Sequence, residues 1–245
     1  MSFLVIIFCL AIQWLSNISG VQYQWRWESK YYSWVQKHFL SLTRGHDFFT
    51  LLILILPIVV VACLLFTIVY HTTGQIGYRI LSLALLWYCM DVVYLRIIPT
   101  GSEDALFLKS YQTIFAILFW YFVFGPVGLV LYVSMSGLCV CLRTQASAST
   151  ATYFEKALGV LDWVPIRILG LTFALAGNFG AVFKPWLTLL PKGISTDQKS
   201  VVELGRAALT GESSVSLQQV VALIIRVLVV WLVIIMLITL GFWLG

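Results

Sequence analysis

Long runs of apolar residues, separated by short polar stretches, dominate the chain. A membrane-spanning helix needs about 20 consecutive apolar residues, because the hydrocarbon core of a bilayer is roughly 30 Å thick. The apolar runs that could supply such helices are 3–16, 48–70, 80–98, 111–142, 164–190 and 220–244. The first run is short and no Lys or Arg precedes it, so we expect a retained helix rather than a cleaved signal peptide. The pattern predicts an all-α, polytopic integral membrane protein with about four to six transmembrane helices, in a single membrane domain over residues 1–245.

One apolar run, 111–142, is too long for a single untilted span and carries a break near its middle. Gly125, Pro126 and Gly128 fall there. Proline removes a backbone N–H group, and glycine adopts backbone conformations that other residues avoid. We therefore predict one interrupted helix at this place, with these three residues in a structural role. The helix is either kinked or divided into the two short limbs of a re-entrant pair.

Five polar stretches separate the apolar runs; those at 71–79 and 99–110 are predicted to be short loops, and the other three are longer. Residues 21–47 interleave aromatic and basic side chains, a mixture typical of the headgroup layer, and they predict an interfacial amphipathic helix. An amphipathic helix packed on the domain would show the same pattern, so both interpretations stay open. Residues 143–162 and 191–217 are predicted to be polar loops, the first with a short helix around Tyr153–Gly159 and the second partly helical at Lys199–Leu209.

Composition supports the membrane assignment and removes several functions. Only 10% of the residues are charged and the mean hydropathy is +0.97, whereas an average soluble domain carries about 25% charged residues. The net charge of +5 suits basic residues at an anionic membrane face. We therefore expect membrane lipid, and not nucleic acid, as a partner.

The five cysteines form no CxxC motif, and the chain has no phosphate loop, GxSxG or HExxH motif. We accordingly predict no catalytic residue, metal site or cofactor.

Polar residues at the start of the fifth run form the candidate ligand site. Pro165 suits the first turn of a helix, Asp162 could cap that helix, and Arg167 could grip a phosphate or carboxylate at the membrane edge. Alternatively, Asp162 only caps and Arg167 only extends to the interface. Asp91 lies deep in the third run, where a carboxylate needs a partner or water. We predict that Asp162, Arg167 and Asp91 line one polar pocket near the break at 125–128.

Two segments resemble a known membrane-protein family. The stretch VLDWVPIRILGLTFALAGNF, residues 160–179, resembles the late motif of the AmpE family of Gram-negative inner-membrane proteins. The stretch FWYFVFGPVGLVLYVSMSGL, residues 119–138, resembles that family's central membrane segment. The AmpE family is related to the CobD/CbiB family, membrane enzymes that join an amino-alcohol phosphate to a corrinoid acid by an amide bond. The resemblance places Asp162, Pro165 and Arg167 on those enzymes' aspartate and Pro-Ala-Arg run.

Two motifs of the CobD/CbiB enzymes are replaced in this chain. Their Ala-Glu-Asn run with a following aspartate corresponds to residues 110–115, SYQTIF, which contain no carboxylate. Their tyrosine-lysine and asparagine-threonine motif corresponds to residues 132–135, YVSM. The resemblance therefore implies the regulatory family rather than the active synthase.

The function implied by the resemblance is regulatory. It is that of a non-enzymatic regulatory or sensory protein of the bacterial inner (cytoplasmic) membrane, linked to muropeptide recycling and β-lactamase induction. Its candidate ligands are of muropeptide or phosphorylated type, and its candidate protein partners are membrane proteins and an amidase. The alternatives are an amide-forming enzyme of CobD/CbiB type and a small-molecule transporter whose pathway includes Asp91 and the interrupted helix.

Overall fold

The structure is a computed structural model, and it describes residues 2–16, 27–38, 47–95, 102–145, 148–191, 193, 198–210 and 216–244. Within these ranges the chain is all-helical, as predicted. The α-helices are α1 (Ser2–Ser16), α2 (Trp27–His38), α3 (Asp47–Cys89), α4 (Glu103–Ser110), α5 (Ala116–Gln145), α6 (Ala148–Ala176), α7 (Phe179–Leu189), α8 (Lys199–Ala208) and α9 (Leu217–Leu244). A 3₁₀ turn covers Val93–Leu95, and a π turn, Tyr111–Phe115, joins α4 to α5.

Four helical stretches are long and apolar enough to cross a membrane, which agrees with the predicted number. They are Phe48–Cys89, Glu103–Arg143, Thr150–Ala176 and Leu217–Gly241. The apolar part of α1, Leu4–Leu15, is shorter. No water reaches backbone groups inside hydrocarbon, so a segment there must form its own hydrogen bonds, and a helix does so within itself. The chain is therefore a helical membrane protein.

The predicted interruption at Gly125 is confirmed. Gly125 has φ 65° and ψ −152°, which breaks the helical backbone inside α5. The hydroxyls of Tyr111 and Tyr132 lie 2.5 and 3.2 Å from the same oxygen of Asp162. In a straight helix, 21 residues would hold them about 31 Å apart. The chain therefore folds back at Gly125 and forms two limbs that lie side by side, rather than one kinked rod.

A second reversal lies at Gly74, inside α3, where φ is 69° and ψ is −160°. The rings of Phe66 and Tyr78 are in edge contact at 5.6 Å between centroids, although 12 residues of straight helix rise about 18 Å. The sequence predicted two runs, 48–70 and 80–98, with a loop between them. The structure needs no loop, because one glycine with positive φ turns the chain and helix resumes directly.

The third apolar run ends earlier than predicted. Helix α3 stops at Cys89, and Met90, Asp91 and Val92 continue outside any helix. The side chain of Gln13 in α1 holds this end of α3. Its amide group donates to the carbonyls of Trp87 (3.0 Å) and Met90 (2.6 Å), and its oxygen accepts from the Val92 N–H (3.2 Å). A single buried amide thus satisfies three backbone groups that the helix end would leave without partners.

Helix α6 is the central element. In its most apolar stretch 61% of the residues are buried, against 17% in α3, and it packs against α5, α7, α8 and α9.

The prediction that the helix starts near Asp162 is wrong, because α6 begins at Ala148. Residues 148–162 are therefore helical throughout, which extends the short helix predicted around Tyr153–Gly159. Their first half contains no glycine or proline, so nothing in the backbone stops the helix there.

The predicted amphipathic segment contains a packed helix. In α2, Tyr32 and Val35 are buried and α2 lies against α5. The hydroxyl of Tyr31 donates to the carbonyl of Leu54 at 3.0 Å. Lys30 and Lys37 are on the exposed side. The rest of this predicted segment, residues 21–26 and 39–46, lies outside the described residues, and Asp47 begins α3. The interfacial position of α2 stays a prediction.

Replacing Gly125 by alanine should destabilise the protein, since alanine would have to adopt a backbone conformation that is essentially restricted to glycine. We expect Gly125→Ala to lower the free energy of unfolding by about 1–3 kcal/mol, measured as a lower melting temperature in detergent. The matched control is Gly241→Ala in α9, where an added Cβ would meet nothing within 4 Å. The control should melt at or slightly above the wild-type temperature. Equal melting of Gly125→Ala and wild type would contradict the assigned reversal.

Candidate functional site

A buried aspartate, Asp162, is the centre of the candidate site. It lies in the middle of α6 and is 1% exposed. One carboxylate oxygen accepts hydrogen bonds from the hydroxyls of Tyr111 (2.5 Å) and Tyr132 (3.2 Å). The other oxygen accepts from the side-chain amide of Gln198 at 3.1 Å. A carboxyl group buried without partners is strongly unfavourable, and these three donors compensate for its removal from water.

Each partner of Asp162 comes from a different element. Tyr111 begins the π turn, Tyr132 lies on the second limb of α5, and Gln198 immediately precedes α8. Gln112, also in the π turn, donates to the side-chain oxygen of Gln198 at 3.0 Å. We call Tyr111, Tyr132, Asp162 and Gln198 the aspartate hub. Because its members are 30 to 51 positions from Asp162 in the chain, the hub holds α5, α6 and the start of α8 together.

Helix α8 covers the side of the hub that Gln198 occupies. Its residues Val201, Leu204 and Ala208 are buried against neighbours that include α4, α6 and α7. Gly205 permits the close approach to α4, because a Cβ there would lie 2.6 Å from the ring of Phe107. On the outer side the guanidinium of Arg206 pairs with Asp104 at 2.8 Å. That exposed ion pair adds little stability, so apolar packing and the hub hold α8 in place.

Arg167 is oriented towards α7 rather than towards the hub. Its guanidinium donates to the carbonyls of Leu189 (2.9 Å) and Leu190 (3.3 Å), which end α7, and to the carbonyl of Trp163 (2.9 Å). It also lies 4.0 Å from the centroid of the Trp163 ring. A cation at a helix C-terminus is favourable because carbonyls without helical partners are concentrated there. The three described donors of Asp162 do not include Arg167.

Asp91 adjoins the π turn from the opposite direction. Its side chain is 6% exposed, and its N–H donates to the carbonyl of Thr113 at 3.4 Å. Nearby, the ammonium group of Lys109 lies 4.3 Å from the centroid of the Tyr94 ring. Burial raises the pKa of the Tyr94 phenol above its ordinary value. The π turn thus borders both Asp91 and the aspartate hub.

The predicted site residues lie on several different elements of the structure. Asp162 and Asp91 adjoin the same π turn, and Arg167 contacts the end of α7. Gly125 is 14 positions from Tyr111, which corresponds to about 21 Å of helix. Pro165 lies inside α6 and not in its first turn. A single polar pocket joining all of them stays a prediction. Among the described residues, no three His, Cys, Asp or Glu side chains group together as a metal site would require.

Sequence reasoning missed the partners of Asp162. Tyr111, Tyr132, Gln112 and Gln198 carry no motif that links them to an aspartate 30 to 51 residues away. Two of them, Tyr111 and Tyr132, lie in the segments that replace the motifs of the CobD/CbiB enzymes, which was the available signal. Tyrosine hydroxyls in apolar runs need a partner when they are buried. That rule singles out these tyrosines but not their acceptor.

Removing the hydroxyl of Tyr111 should weaken the hub. We expect Tyr111→Phe to lower the free energy of unfolding by about 1–3 kcal/mol, because a buried acceptor loses its shortest hydrogen bond. Thermal unfolding in detergent measures the effect. Tyr153→Phe is the matched control, since Tyr153 lies on the same helix as Asp162 but is 45% exposed. A loss of stability that is equal in both variants would show that the hydrogen bond itself contributes nothing.

Removing the guanidinium of Arg167 should loosen the end of α7. In Arg167→Leu the carbonyls of Leu189 and Leu190 lose this donor, so we expect faster amide exchange in α7 while α9 keeps wild-type rates. Hydrogen–deuterium exchange followed by mass spectrometry measures both helices in one sample. Lys184→Leu removes a different, exposed cation of α7 and should leave exchange there unchanged. Wild-type exchange of α7 in Arg167→Leu would disprove the capping role.

Comparison with known proteins places this architecture in a family. The family described as regulatory signalling modulator protein AmpE matches residues 101–243, more than half of the chain. The chain is 30% identical over 115 residues to the cobalamin biosynthesis protein CobD of Stutzerimonas stutzeri (strain A1501), a match covering 46% of the chain and 38% of the relative. It is 26% identical over 132 residues to protein AmpE of Shigella flexneri, covering 52% of the chain and 45% of the relative.

The matched region contains the whole aspartate hub, since Tyr111, Tyr132, Asp162 and Gln198 all lie within residues 101–243. The matches span less than half the length of these two curated relatives. No solved structure matches the chain. The resemblance seen in residues 119–138 and 160–179 is thus confirmed, and the chain belongs to the family of the regulatory signalling modulator protein AmpE.

Proposed function

We propose that this chain is a non-enzymatic regulatory or sensory protein of the bacterial inner membrane, linked to muropeptide recycling and β-lactamase induction. The observation that carries the proposal is the closed aspartate hub. Asp162 is 1% exposed, and the chain's own side chains donate to both of its oxygens. The family description, regulatory signalling modulator, supports the same conclusion.

The closed hub favours regulation over catalysis. A catalytic carboxylate must come within hydrogen-bond reach of the group that it attacks or deprotonates. The hydroxyls of Tyr111 and Tyr132 and the amide of Gln198 occupy three of the roughly four acceptor positions of the Asp162 carboxylate. Two of these residues stand in the segments where the CobD/CbiB enzymes are expected to carry their own motifs. The side chains in those segments are therefore used for internal hydrogen bonding in this chain.

Helix α8 is the element through which the hub could report a bound ligand. Gln198 connects Asp162 to the start of α8, and one such hydrogen bond contributes only about 0.5–3 kcal/mol. A ligand shifts a conformational equilibrium by as much as its affinities for the two states differ. A modest preference for the state in which Gln198 has left Asp162 would therefore move α8. The face of α8 that carries Lys199 and Arg206 would change its position relative to α4 and Asp104.

The candidate ligand is a muropeptide-type molecule, and the candidate protein partners are a membrane protein and an amidase. Muropeptides carry carboxylates and amides, which can exchange hydrogen bonds with Gln198 and the two tyrosines of the hub. An amidase partner would recognise α8 or the segments beside it. The similarity to a cobalamin biosynthesis protein makes a corrinoid acid with an amino-alcohol phosphate the competing ligand set, and the test below includes it.

We expect anhydro-muropeptides to raise the melting temperature of the purified chain, since a ligand that binds the native state stabilises it by mass action. The same titration is made with a corrinoid acid plus aminopropanol phosphate. The hub variant is Gln198→Leu, which should melt at a lower temperature than wild type, because the buried carboxylate loses one donor, and should show a changed ligand response. Lys156→Gln, an exposed substitution on α6, serves as the control. Stabilisation by the corrinoid set alone would overturn the proposal in favour of an enzyme.

The cellular arm of this test measures β-lactamase induction in a strain that lacks the chromosomal gene. Plasmid-borne wild type, Gln198→Leu and Lys156→Gln are compared at equal protein levels in the membrane fraction. We expect Gln198→Leu to shift the inducer concentration that gives half-maximal activity, and Lys156→Gln to match wild type. Identical induction with and without the wild-type gene would reject the regulatory role.

A further inference from the structure

We infer that a cleft between the two helix reversals binds a phosphate group, supplied by the headgroup of an anionic phospholipid. This cleft has a volume of about 320 Å³ and lies between α3, α5 and α1. Its lining includes Gln75, Tyr78 and Arg79 from α3 and Tyr121, Gly125 and Pro126 from α5. The inference stands apart from the proposed regulatory role, because it rests on different residues at a different place in the fold.

The two reversals create the cleft. Gly74 and Gly125 have nearly the same backbone angles, φ of 69° and 65°, and both turn a long apolar helix back on itself. The structure brings Gly125 close to the residues that follow Gly74, since a Cβ on Gly125 would lie 3.6 Å from the hydroxyl of Tyr78. The limbs on either side of each glycine run away from this end, so the concave space between the turns is left unfilled. A volume of about 320 Å³ is at the lower end of the range for small-ligand sites.

The polar groups of the cleft are cationic or hydrogen-bond donors. Arg79 contributes the charge, and its guanidinium donates to the side-chain oxygen of Gln75 at 3.1 Å. Ser82 and Tyr121 share a buried hydrogen bond of 2.7 Å at the cleft wall. No acidic side chain occurs among the described residues that line it. A guanidinium group beside hydroxyl groups, in a cleft whose described lining residues include no acid, suits the oxygens of a phosphate group.

The surroundings of Arg79 favour a lipid as the source of the phosphate. Ile76 and Ile80, which flank Arg79 on α3, are 73% and 62% exposed. Exposed isoleucines beside a cationic cleft would suit the acyl chains of a lipid whose headgroup lies in that cleft. The reversal at Gly74 also carries the polar residues Thr72, Thr73 and Gln75, which suit the level where helices leave the hydrocarbon. Basic pockets between transmembrane helices are a known arrangement for anionic headgroups.

The test titrates the purified full-length chain in detergent with dioctanoyl phosphatidylglycerol and follows its melting temperature. Dioctanoyl phosphatidylcholine is the zwitterionic comparison, and glycerol 3-phosphate is the soluble one. We expect phosphatidylglycerol to stabilise the chain at the lowest concentration. In Arg79→Gln its apparent affinity should fall on the order of tenfold. The matched control, Arg226→Gln, removes an exposed arginine from α9 and should keep wild-type affinity.

A second variant keeps the test decisive if Arg79→Gln does not fold. Gln75→Ala changes an exposed residue and removes the group that orients the guanidinium, so it should weaken binding several-fold while Arg79 remains. Equal stabilisation by glycerol 3-phosphate and phosphatidylglycerol would support the phosphate site and assign a soluble source. The inference is overturned if none of the three compounds shifts the melting temperature, or if both cleft variants bind phosphatidylglycerol as tightly as Arg226→Gln does.

Discussion

A polar group inside hydrocarbon has no water to bind, and this constraint shapes most of the described structure. Two helix ends and one buried carboxylate are satisfied by side chains from other parts of the chain. The side chain of Gln13 donates hydrogen bonds to the end of α3, and that of Arg167 donates to the end of α7. The carboxylate of Asp162 accepts hydrogen bonds from Tyr111, Tyr132 and Gln198. These contacts cross between elements, so the same hydrogen bonds that meet the local need also fix the arrangement of the helices.

The fold could be predicted in outline because the lack of water in the bilayer restricts membrane-spanning segments to long runs of apolar residues. Runs such as 48–70 and 220–244 contain little besides apolar residues, and only helices accommodate them in lipid. Gly125 and Pro126 likewise indicate a break from the sequence alone. The reversal at Gly74 cannot be distinguished from a loop in the sequence, because a short polar stretch between two apolar runs has the same appearance whether it forms a loop or a turn at one residue. The start of α6 was misplaced since Pro165 fits both the first turn of a helix and its interior.

The candidate site could be predicted only at its centre. Asp91 is conspicuous in the sequence because it lies in an apolar run, and Asp162 because it directly precedes one; the structure buries both. The partners of Asp162 are not conspicuous, since hydrogen bonds between positions 30 to 51 residues apart depend on how helices pack. Arg167 illustrates the difficulty most clearly. Five residues of helix separate it from Asp162 and turn through about 500°, so neighbours in sequence serve different sides of the same helix.

The position of Gln198 has a consequence for how the protein is made. Asp162 and both tyrosines are synthesised before Gln198, which follows Asp162 by 36 residues. At about 5–20 residues per second, the ribosome needs roughly 2–7 s to add them. During that time the Asp162 carboxyl group has at most two of its three partners. The last bond of the hub can form only after α7 has been made, so completion of the aspartate hub marks a late step of biogenesis.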